Sequence, residues 1–389
     1  MIVGQVKRVD TAMQFFRDIE KAAFMERPNR FVVRCLKGKE ETMAFLPNPG
    51  RLHELLLPGR ALYLTREGVS GNRKYPCTVV AVEREGIPIM LHTHMTNAVA
   101  GHLITSDRVA GLEGARVIRR EITVGRSRFD FLLEHEGREL LMEVKSCTLA
   151  GNRIAMFPDA VTERGARHLN ELAALSDNGR EGAVLFVVHW PGAEYFLPDY
   201  HTDLHFARTM LECRNRIRFF PVSVRWNEDL TLHSDTRLLT IPWEFIEQEA
   251  EDRGSYLVIL KLREGKNITI GKMGNLFFPQ GYYVYAGSAM SSLTARLERH
   301  RRLRKTLHWH IDYLRQESEF ETALPIRSSA SLECLLARVM DTLADWKIPG
   351  FGSSDCSCPS HLSGMKSNPL HSSEFIRLLL YFRIDRLNV

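Results

Sequence analysis

The stretch Arg128–Lys145 reads RFDFLLEHEGRELLMEVK and consists of two apolar runs on either side of a Glu136-Gly137 turn. Short strands joined by a two-residue turn of this kind are typical of a β-hairpin. Pairing about that turn places Asp130 directly opposite Glu143, with Cβ atoms about 4.5–5.5 Å apart. Lys145 shares the face of Glu143 because side chains alternate along a strand. The hairpin therefore brings two carboxylates and an ammonium group to one point.

Two carboxylates at that distance repel each other and destabilise a hairpin unless a cation neutralises them. Mg²⁺, or Mn²⁺ in its place, suits this role because it prefers carboxylate oxygen and retained water. We therefore predict that Asp130 and Glu143 bind the metal, which would polarise a phosphodiester and activate a water molecule. Lys145 would orient that water or offset the charge that develops on the phosphorane. The alternative is an exposed hairpin face with ordinary charges.

The composition indicates two or three domains, since 389 residues, 44% hydrophobic and 25% charged, can form separate cores. The first residues carry Lys7, Arg8 and Asp10 and no apolar segment, which argues against a secretory signal. The best apolar run, Gly182–Val188, is far shorter than the ~20 residues that cross a bilayer and suits a buried strand. Seven dispersed cysteines argue against a disulfide scaffold. We therefore expect a cytoplasmic location and no membrane partner.

The formal net charge of +5 is concentrated in the last third of the chain. Residues 254–389 contain 18 Lys and Arg against 12 Asp and Glu. Much of the excess lies in one basic segment, which comprises Arg296, Arg299, Arg301, Arg302, Arg304 and Lys305. Clustered positive charge attracts phosphate through Coulomb attraction and counterion release. The basic segment therefore predicts a nucleic-acid contact, although a solvated helix face explains the same charges.

The N-terminal part of the chain predicts a helix followed by a small β-barrel. Asp10 or Thr11 can cap a helix that runs to about Met25. The predicted strands are Phe31–Cys35, Thr42–Leu46, Ala61–Thr65, Thr78–Val82 and Pro88–Leu91. The turns between them include residues 47–50, 58–59 and 70–72. Five short strands favour a Greek-key barrel of the size of an OB fold, over residues 15–95.

The rest of the chain predicts two α/β blocks, residues 96–246 and 253–389, separated by a charged linker, Glu247–Arg253. The middle block contains predicted strands at Val117–Val124, Phe129–His135, Leu140–Ser146 and Ala183–His189, and a helix at Thr162–Leu175. In the last block a strand starts at Gly254. The helices predicted there are Leu293–Arg304, Leu307–Gln316, Leu332–Leu343 and Ser372–Phe382.

The order of Asp130 and Glu143-Val144-Lys145 resembles the core of the PD-(D/E)XK nucleases. Over about residues 15–235 the chain also resembles the bacterial and archaeal sugar fermentation stimulation protein family. The matching pieces are residues 30–33, 47–52, 73–74, 128–131, 143–146 and 157–165. The resemblance implies an N-terminal OB-like domain, a nuclease-like α/β domain and DNA binding. It leaves catalysis open, because the family's name reflects a regulatory role.

Two polar positions outside the hairpin have both a structural and a functional interpretation. In Asn48-Pro49-Gly50-Arg51 the proline and glycine fix a turn, and Arg51 on that turn could also hold a phosphate. Asn97 lies where the family resemblance places a polar pocket, but a loop cap explains it equally well.

Residues 253–365 resemble an uncharacterised domain related to the GIY-YIG nucleases. The matching pieces are residues 254–256, 281–289, 293–300, 308–314 and 350–362. The chain departs from the motif at Ser255, Ala286 and Ser288.

Carried over by position, Tyr256 and Tyr285 are the two motif tyrosines and Arg296 is the helix arginine. Glu333 is the metal-binding glutamate that the resemblance implies. In that chemistry a phenol accepts a proton, a guanidinium binds phosphate oxygens and a carboxylate holds Mg²⁺.

His308 and Asp312 lie four residues apart on one predicted helix face. That spacing suits either a chelated metal or a surface pair. No role follows from the sequence for the intervening His310.

Cys356, Cys358 and His361 could bind zinc, with Cys334 as a fourth ligand. A Cys-x-Cys spacing differs from the usual knuckle, in which two to four residues separate the cysteines. The spacing therefore favours structural packing over a zinc site.

These patterns together predict a multidomain protein with an OB-like barrel, a PD-(D/E)XK-like domain and a GIY-YIG-like domain. We predict DNA binding coupled to metal-dependent phosphodiester hydrolysis. The predicted DNA contacts are Arg51, Arg296, Arg299, Arg302 and Lys305. The alternative is a non-catalytic DNA-binding regulator that uses nuclease folds as scaffolds, and RNA processing is a third hypothesis. The oligomeric state and the preferred DNA sequence do not follow from the sequence.

Overall fold

The computed structural model describes residues 13–66, 75–176 and 180–389. Three predicted features lie outside these ranges: the helix cap at Asp10 or Thr11, the turn at residues 70–72 and the Arg73-Lys74 pair. The chain divides into two compact units. The first comprises the chain up to Asp159, Arg164–Phe196 and Glu212–Ile241, and the second comprises Ala160–Glu163, Leu197–Leu211 and Pro242–Val389.

The first unit begins with a six-stranded barrel. Its strands are β1 (Ile19–Asn29), β2 (Val32–Lys37), β3 (Glu40–Phe45), β4 (Ala61–Arg66), β5 (Cys77–Arg84) and β6 (Ile87–Met90). Strand β1 pairs with both β2 and β4, and the parallel pairing of β3 with β5 closes the barrel. This connectivity confirms the predicted OB-like barrel.

The predicted helix that ends near Met25 is wrong where the structure describes it, because Ile19–Asn29 is a strand. Ala22 and Phe24 are buried and lie two residues apart, which is the period of a strand. Lys, Glu, Ala and Met favour helices locally, but pairing with two neighbouring strands outweighs that preference. The barrel therefore has one strand more than the sequence predicts.

A six-stranded mixed sheet forms the rest of the first unit, in the order β14-β13-β11-β9-β8-β7. The elements of this region are α1 (Thr96–Thr105), β7 (Arg116–Val124), β8 (Ser127–His135), β9 (Arg138–Cys147), β10 (Ile154–Phe157), α2 (Glu163–Ser176), β11 (Glu181–Val188), β12 (Tyr195–Pro198), β13 (Arg218–Trp226) and β14 (Leu232–Leu238). Strands β9, β11 and β13 run parallel, and α2 lies between β9 and β11 in the chain. This is the layered α/β architecture that the sequence predicts.

The hairpin of β8 and β9 has the predicted turn and register. Phe131 pairs with Met142, and His135 pairs with Arg138 next to the turn. The turn residues, Glu136 and Gly137, both have positive φ, 52° and 75°. A two-residue hairpin turn of this kind matches the right-handed twist of the strands.

The second unit contains a five-stranded sheet in the order β19-β15-β18-β21-β20 and a small β16-β17 hairpin. Its elements are α3 (Leu204–Glu212), α4 (Trp243–Glu249), β15 (Gly254–Leu262), β16 (Lys266–Thr269), β17 (Asn275–Phe278), β18 (Gly281–Ala289), α5 (Leu293–Arg301), α6 (His310–Glu317), β19 (Glu319–Arg327), α7 (Glu333–Leu343), β20 (Trp346–Lys347), β21 (Leu362–Met365) and α8 (Ser373–Leu380). Among the described residues, none of the helices combines the length and the apolar character that a bilayer crossing requires.

The predicted linker Glu247–Arg253 is wrong in its first half, because helix α4 continues to Glu249. Ile246 on this helix is fully buried, so the helix packs on one side despite its charged end. The strand that the sequence places at Gly254 is confirmed.

His189, which follows β11, is fully buried, and its Nδ1 accepts a hydrogen bond of 3.1 Å from the indole N–H of Trp226. Burial lowers the pKa of His189 to about 3, because a charged imidazole would lose its hydration. The unfolded chain therefore binds a proton on this residue between about pH 6.5 and pH 3, and the folded chain does not. The stability that neutral His189 contributes is present above pH ~6.5 and is lost as the pH falls.

We predict that His189→Asn makes thermal unfolding less sensitive to acid, because asparagine keeps an acceptor for Trp226 and does not titrate. Between pH 7.5 and 5.5 the variant should lose about 1 kcal/mol less stability than the wild type. Denaturation curves followed by circular dichroism at several pH values measure the difference. The same substitution at exposed His94 serves as the control, and parallel pH profiles for His189→Asn and wild type would contradict the prediction.

Candidate functional site

The structure brings Asp130, Glu143 and Lys145 together on the hairpin. The Asp130 Oδ2 atom accepts a 2.7 Å hydrogen bond from the backbone N–H of Val144, next to Glu143. Its Oδ1 atom accepts a 2.7 Å hydrogen bond from the side-chain amide of Asn97 on helix α1. The carboxylate of Asp130 is therefore held at both oxygens, beside the strand that carries the other two residues.

Glu143 is buried, and its Oε1 atom accepts two hydrogen bonds. One comes from Lys145 Nζ at 2.5 Å and the other from His168 Nδ1 on helix α2 at 2.6 Å. The guanidinium of Arg164 donates to His168 Nε2 at 3.3 Å. Because arginine only donates, this contact assigns the Nε2 atom as acceptor and the Nδ1 atom as the proton-bearing nitrogen.

The two carboxylates respond differently to burial. Burial and then the charge of Glu143 raise the pKa of Asp130, against the hydrogen bonds from Val144 and Asn97. Burial also raises the pKa of Glu143, but the hydrogen bond from His168 and the charge of Lys145 outweigh it and leave the pKa lowered. The pKa values of the two carboxylates are therefore shifted in opposite directions, and a bound cation would lower both.

The residues at this site suit a hard divalent cation. The Glu143 Oε2 atom is buried and has no hydrogen-bond partner among the residues that the structure describes. A buried carboxylate oxygen without a partner is costly, and a metal ion satisfies it. Asp130 and Glu143 supply the oxygen ligands that Mg²⁺ and Mn²⁺ prefer.

His168 and Asn97 also belong to this site, but the sequence does not predict a functional role for His168 and leaves the role of Asn97 open. His168 is visible in the sequence as one of several polar residues on a helix, and its spacing does not reveal which face points to Glu143. Asn97 is the residue for which a polar pocket and a loop cap were equally good interpretations. The hydrogen bond to Asp130 favours the pocket.

The turn that carries Arg51 is built around the side chain of Arg27. Its guanidinium donates to four backbone carbonyl oxygens, those of Arg30, Asn48, Gly50 and Arg51, at 2.6–2.9 Å. A side chain at Gly50 would collide with the carboxylate of Asp159, so the turn requires glycine there. Arg51 itself is exposed on this turn. This position agrees both with a purely structural turn and with a phosphate contact at Arg51, the two interpretations that the sequence leaves open.

In the second unit, Tyr256 and Tyr285 lie on neighbouring strands with ring centroids 6.5 Å apart. Tyr256 pairs with Gly287 across the strands, and a Cβ atom at Gly287 would lie 2.5 Å from the Tyr256 hydroxyl oxygen. The hydroxyl group of Tyr256 lies 2.8 Å from His300 Nε2. The sequence did not single out His300 as a site residue.

The protonation states of these groups differ from the predicted chemistry. Burial raises the pKa of Tyr256 and the pKa of Tyr285, so both phenols keep their protons near neutral pH. Burial, with the nearby charge of Lys305, lowers the pKa of His300 to about 3. The neutral imidazole of His300 is therefore the proton acceptor of this group, and Tyr256 is the donor.

Arg296 and Glu333 lie on the two sides of Ser288. The guanidinium of Arg296 stacks on the Trp309 ring at 4.2 Å and donates to the Ser288 carbonyl at 3.4 Å. Glu333 accepts hydrogen bonds from the Ser288 hydroxyl and from His361 Nδ1. Burial raises the pKa of Glu333, but these two hydrogen bonds outweigh burial, and the pKa is lowered.

The expectation that His308 and Asp312 share one helix face, as metal ligands or as a surface pair, is wrong. His308 precedes helix α6, and Asp312 is completely buried. Asp312 accepts hydrogen bonds from both terminal nitrogens of Arg299, at 3.0 and 2.9 Å, and Lys305 lies 2.8 Å away. These two cations of the basic segment therefore neutralise a buried carboxylate, whereas Arg302 is exposed.

His310 accepts a hydrogen bond of 3.1 Å from the backbone N–H of Gly352.

Four possible metal ligands also lie close together in this unit: Cys334, Cys356, Cys358 and His361. Each residue offers one candidate ligand atom, and all four atoms lie within 4.8 Å of one another. Cys334 is the fourth candidate ligand that the sequence indicates, and the structure places it beside the other three.

We predict that Asp312→Asn destabilises the second unit by about 3–5 kcal/mol, because it leaves two cations without their buried counter-charge. Partners lower the pKa of Asp312 despite burial, so its contribution is present above the ordinary pKa of 3.8 and is lost as the pH falls below it. Urea unfolding followed by tryptophan fluorescence measures the effect. Exposed Asp355→Asn is the control, and equal midpoints for the two variants would contradict the prediction.

Comparison with known proteins gives three family matches along the chain. Residues 25–91 match the SfsA N-terminal OB domain, and residues 94–229 match the sugar fermentation stimulation protein RE domain. Residues 255–381 match a domain of unknown function, DUF123. These matches confirm the multidomain fold that the sequence predicts, with its barrel, its nuclease-like middle domain and its separate last domain.

Two curated relatives and one solved structure share the first part of the chain. The sugar fermentation stimulation protein homolog of Methanothermobacter thermautotrophicus is 40% identical over 190 residues, 49% of this chain and 79% of that protein. The homolog of Clostridium tetani is 32% identical over 226 residues, 57% of this chain and 98% of that protein. The structure of Pyrococcus furiosus SfsA in complex with Ca²⁺ is similar at a TM-score of 0.54 and 27% identity, over 59% of this chain and 99% of that one.

Proposed function

Because the chain belongs to the sugar fermentation stimulation protein family, we propose that it binds DNA and hydrolyses phosphodiester bonds at the hairpin site with Mg²⁺ or Mn²⁺. The observation that carries this proposal is the buried Glu143 Oε2 atom, which lacks a partner among the described residues and lies beside a second carboxylate. The similar protein from Pyrococcus furiosus was solved in complex with Ca²⁺, which supports the use of a divalent cation.

Each residue of the site has a role in this proposal. Asp130 and Glu143 hold the ion, which when bound polarises the phosphodiester and lowers the pKa of an attacking water. Lys145 orients the water and offsets negative charge on the phosphorane. His168 and Asn97 are positioning residues, because each donates a hydrogen bond to one of the two carboxylates.

We propose that DNA contacts come from exposed cations of both units. Arg51 lies on the barrel turn, and Arg302 lies at the end of helix α5. Arg296 is partly exposed on Trp309, where a phosphate oxygen can reach its guanidinium. Arg299 and Lys305 contribute less in this proposal, since Asp312 already neutralises them.

The second candidate function is a non-catalytic DNA-binding regulator. One observation favours it for the last domain: Tyr256 and Tyr285 keep their protons, so neither phenol is a ready base. In that case both nuclease-like domains bind DNA without cutting it. The two functions differ in whether cleavage of the substrate accompanies binding.

We predict that the wild-type protein cleaves DNA in Mg²⁺ or Mn²⁺ and not in EDTA, and that Asp130→Ala lowers the rate by about 10²-fold or more. Lys145→Ala should lower the rate while leaving metal affinity measurable. The assay uses a supercoiled plasmid together with single- and double-stranded oligonucleotides of DNA and RNA.

The matched control is Glu139→Gln, which removes a carboxylate of the same strand at its other end. Cleavage that is equal in wild type, Asp130→Ala and EDTA would exclude the hairpin as the active site. DNA binding without any cleavage in the wild type would favour the regulator. Preferred cleavage of single-stranded RNA would favour RNA processing.

We predict that Arg302→Ala and Arg51→Ala each weaken DNA binding, and that each reduces the slope of log K against log salt by about 1. The physical reason is that one phosphate contact fewer releases about one counterion fewer. Fluorescence anisotropy at several salt concentrations measures the slope. Lys347→Ala, whose ammonium pairs with Asp341, is the control. An unchanged slope for both arginine variants would place the DNA contact elsewhere.

A further inference from the structure

The second unit contains a group of four side chains outside the two sites described above. Cys334 is the second residue of helix α7, Cys356 and Cys358 lie in the loop before strand β21, and His361 directly precedes that strand. One ligand atom from each residue lies within 4.8 Å of the other three. We propose that this Cys₃His cluster binds a structural zinc ion.

The distances suit a tetrahedral ion. Zinc binds thiolate sulfur at ~2.3 Å and imidazole nitrogen at ~2.0–2.1 Å, which places neighbouring ligand atoms roughly 3.5–3.8 Å apart. The Cys356 Sγ and His361 Nε2 atoms are 3.3 Å apart. Small movements of side chains are therefore enough to close the site around the metal.

The orientation of His361 supports a ligand role. Its Nδ1 atom lies 2.9 Å from a carboxylate oxygen of Glu333, so this nitrogen carries the proton and donates it. The Nε2 atom is then the lone-pair nitrogen, and it faces the sulfur of Cys356. A ligating histidine that donates its other N–H to a carboxylate is the usual arrangement around protein-bound zinc.

The alternatives explain the cluster less well. Packing alone does not require a nearly buried imidazole whose lone pair faces thiols, and His361 is 2% exposed. All three cysteines are free, and a disulfide between two of them would leave the third thiol unpaired beside it. Thiolate and imidazole ligands select zinc over magnesium or calcium. The short Cys-x-Cys spacing differs from that of a zinc knuckle. A knuckle is not required here, because Cys334 on helix α7 supplies the fourth ligand from a separate segment of the chain.

A zinc ion here would fix the position of Glu333. The metal joins the start of α7 to the loop that contains Phe351 and Gly352, and this loop packs on the ring of Tyr285. Glu333 would be held through His361 on one side and through the Ser288 hydroxyl on the other. The site is therefore structural for the last domain, and it does not depend on hydrolysis at the hairpin.

The test measures metal content in the full-length protein purified without a metal-affinity tag. Plasma mass spectrometry of the wild type should find about one zinc per chain, and native mass spectrometry should give the same stoichiometry. Cys356→Ser and Cys334→Ser should each reduce zinc below about a tenth of an equivalent. Cys77→Ala, which removes a buried thiol outside the cluster, is the matched control and should keep its zinc.

Glu333→Gln serves as the variant that retains all four ligands. It should weaken zinc affinity by about 10–100-fold in competition with a chromophoric chelator, because the histidine loses its carboxylate partner. This readout stays informative if a cysteine variant fails to fold. Removal of zinc from the wild type should also lower its melting temperature, and added zinc should restore it.

Several results would overturn the proposal. Wild-type protein that contains no zinc, and takes up none after reduction and incubation with zinc chloride, has no such site. Iron in place of zinc, with absorption in the visible range, would assign the cluster to iron–sulfur chemistry instead. Equal zinc content in Cys356→Ser, Cys334→Ser and wild type would place the metal elsewhere in the chain.

Discussion

The burial of the Glu143 carboxylate between an ammonium group and an imidazole is the interaction on which the geometry of the hairpin site depends. A carboxylate taken out of water loses its hydration, and it stays ionised only when charged or hydrogen-bonding partners replace that hydration. Lys145 belongs to the same strand, whereas His168 belongs to helix α2. The contact therefore ties the strand to the helix that leads to the next parallel strand. With the Oε1 atom held in this way, the buried Oε2 atom is left without a hydrogen-bond partner among the described residues.

The hairpin could be predicted from the sequence because its causes are local. Alternating apolar residues specify the strands, the Glu136-Gly137 turn specifies the register, and the register specifies which side chains share a face. The short strands and their turns indicate the barrel, and the resemblance to a family supports both the barrel and the order of the domains. The contact between His168 and Glu143 could not be predicted from the sequence. A histidine on an amphipathic helix has the same sequence pattern whether its side chain contacts a carboxylate or an apolar core.

The predictions that failed concern contacts between segments that are distant in the sequence. The strand Ile19–Asn29 has the composition of a helix and becomes a strand because the barrel offers partners on both sides. The spacing of Asp312 predicts a helix face shared with His308, but Asp312 is instead buried against two cations of an earlier segment. Cys334 is named by the sequence as a fourth candidate ligand, but its position beside Cys356 and Cys358 does not follow from any spacing in the sequence, since helix α7 brings it from elsewhere in the chain.

The two-residue turn between β8 and β9 also limits how this chain can change in evolution. Alternate residues of a strand point to opposite faces, so a single residue inserted or deleted between the turn and Glu143 would send Glu143 into the apolar layer and bring Met142 out. The same change in β8 would turn Asp130 to the opposite face from Glu143. Only changes of equal length in both arms keep the two carboxylates opposite each other. Lineages that descend from this sequence can therefore lengthen the hairpin at its tip symmetrically, whereas an indel confined to one arm would remove the site in one step.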